Sequence, residues 1–337
     1  MTDSKTLVRQ AIEFRNPERV PYNFDSNRTP VIAEQYGDDF EWVFVGQAPD
    51  FTPRIDTAMQ KENELGVVYT TLEGSGSFGE PTGHPLADLA ALDSYRLPNY
   101  RDPRRYVALE RAVQNNPDKY ILCCLPHFLF QVMIDLFGFQ NFMINLAAEQ
   151  EAVAHLADML TESVLVMVDE LAQRGVNGII GIEDLGLQDR LIAPPRTWRK
   201  IFKPRLAKII QACHVRNMHV ISHSCGYIID IIEDMIEIKL DVLQLDQQDN
   251  MGIDKLASRF AGRICFFCPT DIQTTLPVGS FAQIEAKAKH LIQAFGSQGG
   301  GFMAKTYPQP EAINIPEANT KFMCESFKKF GKYPLAF

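Results

Sequence analysis

From about Tyr120 onward, short apolar runs alternate with longer amphipathic stretches, and this alternation predicts the architecture. YILCCLP is an apolar run closed by proline, followed by FLFQVMIDLFGF and by Glu149 to Arg174, where apolar residues recur at helical spacing. NGIIGIEDLG is the next strand candidate, after which Pro194-Pro195 opens the helix TWRKIFKPRLAKIIQACHVRN. The cycle repeats in MHVISHSCG with YIIDIIEDMIEI, LDVLQLD with GIDKLASRFAG, RICFFCP with SFAQIEAKAKHLIQAFG, and GGGFMAKTY with PEANTKFMCESFKKFG.

Strands separated by helices pair in parallel through crossovers, and continuous apolar runs mark strands covered on both faces. The chain is therefore α/β. About six such units follow residue 118, and RVPYNF, preceded by a helix, adds an earlier strand. A doubly wound sheet fits the alternation as well, but the count favours a TIM (β/α)8 barrel. From Asp38 to about Arg101 the rhythm breaks: EWVFVGQ and GVVYTTLEG read as strands of a small sheet or hairpin, and GSGSFGEPTGHPL is rich in turn residues. The expectation is a single barrel domain over 1–337 with an N-terminal insertion at about 38–101 over one mouth, serving as a lid or an interface.

Composition narrows the function classes. With 46% hydrophobic and 22% charged residues the chain is of ordinary globular type. A net charge of -9 without a basic run excludes a nucleic-acid surface. No segment approaches the roughly 18 apolar residues of a membrane span, and the N-terminus lacks a signal-peptide core, so a cytoplasmic protein is expected. Seven cysteines in such a chain are free thiols, metal ligands or both.

In a parallel barrel the reactive groups gather at the C-terminal ends of the strands. NGIIGIEDLG ends with Glu183 and Asp184, MHVISHSCG with His223 and Cys225, LDVLQLD with Gln244 and Asp246, and RICFFCPTD with Cys268 and Asp271. One imidazole, two thiolates and one carboxylate make a tetrahedral zinc set, and Glu183, His223, Cys225 and Cys268 are the candidate ligands. His223 and Cys225 are two apart and point the same way on an extended strand end, while Gly226 permits a sharp turn. Glu183 and Asp184 are adjacent and point to opposite sides, so only one can serve. Ligands spread this far along the chain favour a catalytic ion over a structural one, which is normally held by close Cys pairs.

Further candidates are weaker. His127 follows YILCCLP and Tyr307 follows GGGFMAKTY, each placed to act as acid or base, with Lys305 beside Tyr307. Phe24, Asp25 and Gln244 are candidate substrate contacts, and Phe128 and Phe267 candidate aromatic walls, although each phenylalanine suits a core equally well. Asp246 and Asp271 would be extra ligands or bases in a metal-dependent hydrolase or lyase.

The series RVP, GHPLADLAALDSYRLPN, IEDLG, PPRTWRKIFKPRLAKII, HVISHSCG and the GGGF strand closely resembles the uroporphyrinogen decarboxylase superfamily over nearly the whole chain. The resemblance implies a TIM barrel and a homodimer. Where the decarboxylase branch carries an arginine-rich RQAGR-type segment after the first strand, this chain reads PYNFDSNRTP, so decarboxylation is not expected. The His-x-Cys-Gly element resembles instead the cobalamin-dependent methyltransferases, which hold zinc by His-x-Cys and a later cysteine. In members that methylate coenzyme M that cysteine follows the GGG strand; here the region reads AKTYPQP, and Cys268 in CFFCPTDIQ is the replacement at hand. That arrangement resembles the methyltransferase I components of O-demethylase systems acting on methoxylated aromatics such as veratrol or vanillate. It implies methyl transfer from an aryl methyl ether to the Co(I) corrinoid (cobalamin) of a partner protein, with zinc drawing on the ether oxygen. Another methyl donor, a thiol acceptor, or a decarboxylase-like lyase are the alternatives.

Overall fold

A computed structural model describes residues 2–24, 30–71 and 79–336. Eight strands form one parallel sheet: β1 (Tyr22–Asn23), β2 (Phe40–Phe44), β3 (Tyr120–Cys124), β4 (Gly178–Ile182), β5 (His219–Ser224), β6 (Val242–Leu245), β7 (Cys265–Cys268) and β8 (Phe302–Lys305). β1 pairs with β8, and from there the ladder runs in chain order back to β2, with helices in the crossovers. The expected TIM barrel is thus present. No helix among the described residues is long and apolar enough to cross a membrane.

The eighth strand came from an unexpected place. EWVFVGQ is not part of the small sheet: Phe40–Phe44 pairs in parallel with β3 as a barrel strand. Its residues alternate between Phe40, packed in the barrel interior, and Val43, packed outside it. The insertion therefore starts after Phe44 rather than at residue 38. It contains an antiparallel three-stranded sheet of Gln60–Glu62, Val68–Thr70 and Glu80–Gly83. Buried Arg105 fastens its two ends, donating to the Gly46 and Asn99 carbonyls at 2.9 and 2.8 Å and to both carboxylate oxygens of Glu64.

Two cores follow from the period-2 alternation of the strands. Inside the barrel, Phe40, Tyr120, Leu122, Ile180, Ile221, Val242, Cys265, Phe267 and Met303 form one cluster. Between strands and helices, Ile121, Cys123, Ile179, Val220, Leu243, Cys268 and Ala304 belong to the other. The N-terminal helix Ser4–Ile12 is capped by Asp3, whose carboxylate accepts from the Thr6 N–H. Its Val8, Ala11 and Ile12 close the bottom of the barrel interior. The GGG before β8 serves this contact: Gly300 has φ +136, and a Cβ there would meet the Ala11 carbonyl oxygen at 2.8 Å. This close approach lies under the barrel, away from the mouth.

Between β1 and β2 there is no ladder among the described residues, and the Asp39 N–H donates to the Tyr22 carbonyl at 2.8 Å. The Asp39 carboxylate completes the seam: it accepts from both Arg19 guanidinium ends, from the Tyr22 N–H and from Ser4, each at 2.7 Å. Asp39→Ala would strand these donors at a nearly closed position, Asp39 being 2% exposed. The expected cost is at least about 2 kcal/mol by chemical denaturation. A loss below about 0.5 kcal/mol would show that the seam closes without it.

Candidate metal centre

The inward positions that build the barrel core continue upward into polar residues. Register pairs Ile182 with His223, His223 with Gln244, and Lys305 with Asn23, so these side chains face the same interior. With Asp184, Cys225 and Asp246 just beyond the strand ends, they line a cavity of about 430 Å³ at the C-terminal mouth. Trp42, Phe44, Cys124 and Ile182 make its apolar side, and Tyr307 stands on the β8 side.

Asp184, His223 and Cys225 each offer one donor atom, and the three atoms lie within 4.8 Å of one another. His223 Nε2 is 3.6 Å from the Cys225 sulfur and 3.4 Å from Asp184 Oδ1. Zinc bonds of about 2.0 Å to nitrogen and oxygen and about 2.3 Å to sulfur, at tetrahedral angles, separate donors by about 3.3 to 3.6 Å. The donor set therefore fits zinc in both chemistry and spacing. Gln244 Oε1 lies 2.8 Å from His223 Nδ1. Because an amide oxygen only accepts, Nδ1 donates to it, and Nε2 is left facing the other two donors.

Two loops are fitted back to back to achieve this. Gly226 has φ +76, and a Cβ on it would lie 2.2 Å from the Gly186 carbonyl oxygen. The Cys225 N–H donates to Asp184 Oδ1 at 2.9 Å, so the turn that carries the thiol also positions the carboxylate. Gly226 in HSCG is thus required twice, for its backbone conformation and for the close approach.

The electrostatics favour a positive charge among these groups. Burial discourages protonation of His223, but its bonds to Asp184 and Cys225 and the nearby charge of Asp246 push it up to about 10. Burial raises the Asp184 carboxyl, yet its bonds to His223 and Cys225 prevail and hold it below its ordinary range. The Cys225 thiol is raised, chiefly by burial.

Several expected members stand elsewhere. Glu183 turns away from the cluster: its carboxylate accepts from the Leu129 N–H at 2.6 Å and the Phe130 N–H at 2.7 Å, capping the helix Phe130–Phe137. Burial pushes it up to about 8, against the pull of those bonds. Of the adjacent carboxylates, Asp184 is the one beside His223. Cys268 pairs with Ala304 on the outward face of its strand and is fully buried beneath the helices. Phe24 is likewise outward, stacked on Tyr22 at 5.0 Å, and Phe128 packs over Gly181 outside the barrel. Phe267 lies in the interior core, stacked on Phe40. Asp271 caps its own loop, accepting from the N–H groups of Gln273, Thr274 and Thr275. Asp25 lies outside the described residues. Gln244 and Tyr307 do line the cavity, and Trp42 and Phe44 were missed because EWVFVGQ was assigned to the insertion.

His127 also leaves the mouth. It is 4% exposed, with Nε2 3.0 Å from the Ser163 hydroxyl and its ring beside Tyr100. Burial drives it down to about 4, so it stays neutral in the fold while the unfolded chain protonates near 6.5. Its stabilising share is present above pH 6.5 and is lost as pH falls toward 4, in total about 3 kcal/mol. In His127→Gln the decline of unfolding free energy over that window should be shallower than in the parent; equal slopes would show that His127 does not carry it.

A closed parallel barrel with polar groups gathered at the strand C-termini defines a TIM-barrel protein. Residues 65–330 match the uroporphyrinogen decarboxylase (URO-D) family, and the chain belongs to that family. No curated protein sequence matches it. Among solved structures it is similar to a methyltransferase from Methanosarcina mazei, at 17% identity and TM-score 0.74, over 98% of this chain and 99% of the other. A D-psicose 3-epimerase (7% identity, TM-score 0.46, 92% and 97% covered) and a chitinase from Chromobacterium violaceum (12%, 0.45, 92% and 97%) are too distant to carry an argument.

Proposed function

We propose that the chain is a zinc-dependent methyltransferase that takes the methyl group of a methoxylated aromatic, with the Co(I) corrinoid of a partner protein as acceptor. The observation that carries this is the Asp184, His223 and Cys225 donor set, spaced for zinc, in a cavity with an aromatic side. Membership of the URO-D family and the fold shared with the Methanosarcina methyltransferase support it.

Asp184, His223 and Cys225 would hold the ion, and Gln244 would keep the imidazole turned toward it. Bound zinc would supply a Lewis acid that stabilises negative charge on the ether oxygen. Trp42, Phe44 and Ile182 offer the ring an apolar face. The Tyr307 hydroxyl, pushed up to about 12 by burial and by the charges of Asp246 and Cys225, stays protonated at neutral pH and can donate to the departing phenolate oxygen.

Purified protein is expected to contain about one zinc per chain by elemental analysis. His223→Ala, Cys225→Ala and Asp184→Ala should lose it, whereas Glu183→Gln and Cys268→Ser should keep it. Methylation of a reduced corrinoid protein, followed by absorbance across a panel of aryl methyl ethers and other methyl donors, tests the activity. Full methyl transfer by a zinc-free His223→Ala/Cys225→Ala protein would end the proposal.

Gln244→Leu leaves all three donors in place but frees the imidazole to rotate. Zinc affinity in a chelator competition should fall by about 10- to 100-fold. An unchanged affinity would mean that packing alone orients His223.

A further inference from the structure

Beside the donor set, the cavity contains an ion pair to which the chemistry above assigns no contact with the substrate. Lys305 and Asp246 are 4% and 3% exposed, and the Lys305 ammonium donates to Asp246 Oδ1 at 2.6 Å. An ammonium has three donors, and this bond accounts for one. Among the described residues nothing else accepts from Lys305, and Asp246 Oδ2 receives no bond. A buried cation with unused N–H groups calls for an acceptor, and the carboxylate beside it for a donor.

The two residues border the donor set through the strands that build it. Asp246 is two positions beyond Gln244, the residue bonded to His223, and its charge is felt by both His223 and Cys225. Lys305 comes from β8, two positions before Tyr307.

We propose that Lys305 and Asp246 form a hydroxyl-recognition subsite, which makes the preferred methyl donor an aromatic ether that also carries a free phenolic hydroxyl. This rests on the methyltransferase reading of the same cavity. A hydroxyl both accepts and donates, so it takes the lysine N–H and gives its own proton to the carboxylate. A methoxy group in its place only accepts and leaves Asp246 without a donor. A carboxylate substituent meets Asp246 and Asp184 in the same cavity, and the neutral pair offers it no net charge.

The test is calorimetric titration of the purified protein with 2-methoxyphenol, 1,2-dimethoxybenzene and 3-methoxybenzoate. The methoxyphenol should bind about 10- to 100-fold more tightly than either of the others. In Lys305→Met/Asp246→Leu both charges leave together, so no ion is stranded, and the preference should vanish. Equal or reversed affinities in the parent protein overturn the subsite, as does a folded double variant that keeps the preference. Because the parent comparison needs no variant, a double variant that fails to fold leaves the proposal testable. If the preference is present but no ether serves as a methyl donor, the catalytic reading fails while the subsite stands. If all three ethers donate methyl groups and bind alike, the subsite falls and the catalytic reading stands.

Discussion

Everything at the mouth depends on how the barrel is closed, and that closure rests on Asp39. Seven strand interfaces are parallel ladders; at the eighth, between β1 and β2, the described residues show the Asp39 N–H bonded to the Tyr22 carbonyl and the Asp39 carboxylate shared among Arg19, Tyr22 and Ser4. An open sheet would leave Asn23 and Trp42 on distant edges. Closed, it turns every second residue of each strand toward one axis, and the donors from β4 and β5 share a cavity with Lys305 of β8. Arg19 is partly exposed, so the seam derives its strength less from the ion pair than from satisfying the buried Tyr22 N–H where the described residues form no ladder.

The same alternation explains which parts of the site were legible. Apolar runs between amphipathic helices were enough for the barrel, and the two-residue spacing of His223 and Cys225 placed them on one side. The other candidates were judged by being near a strand end, a weaker criterion than facing inward. Within RICFFCP the interior residues are Cys265 and Phe267, so Cys268 must point out, just as Phe24 must beside inward Asn23. Counting in twos from His223 across the ladder would have excluded Cys268. It would not have located the turn residues after the strands, where pairing ends and the loops set the direction. The second strand was lost for a different reason: Phe40, Trp42 and Phe44 alternate as a strand should, but the turn-rich sequence that follows disguised the boundary.

Glu183 and Asp184 show how neighbouring carboxylates acquire separate tasks. The backbone sends one outward to the helix Phe130–Phe137, where two N–H groups at its first turn have no intrahelical partner. The other is sent inward beside His223. Burial works against charge at both positions, and the outcome differs with the partners: backbone N–H groups leave Glu183 raised to about 8, whereas His223 and Cys225 draw Asp184 below its ordinary range. Glu183 is therefore suited to holding a helix, and Asp184 to accompanying a cation.

That division links the insertion to the donor set. Tyr69 in the small sheet donates to Asp135, His84 donates to the Asp135 carbonyl, and the Leu86 N–H donates to the Leu136 carbonyl, so the insertion is fastened to the helix that Glu183 caps. None of the cavity residues comes from that sheet among the described residues. The bonds that connect it to the site run from insertion to helix, from helix to Glu183, and through the backbone to the adjoining Asp184, whose carboxylate accepts from the Cys225 N–H. Each link is a hydrogen bond or a peptide bond, which ties the Asp184 carboxylate by continuous bonding to the docked insertion.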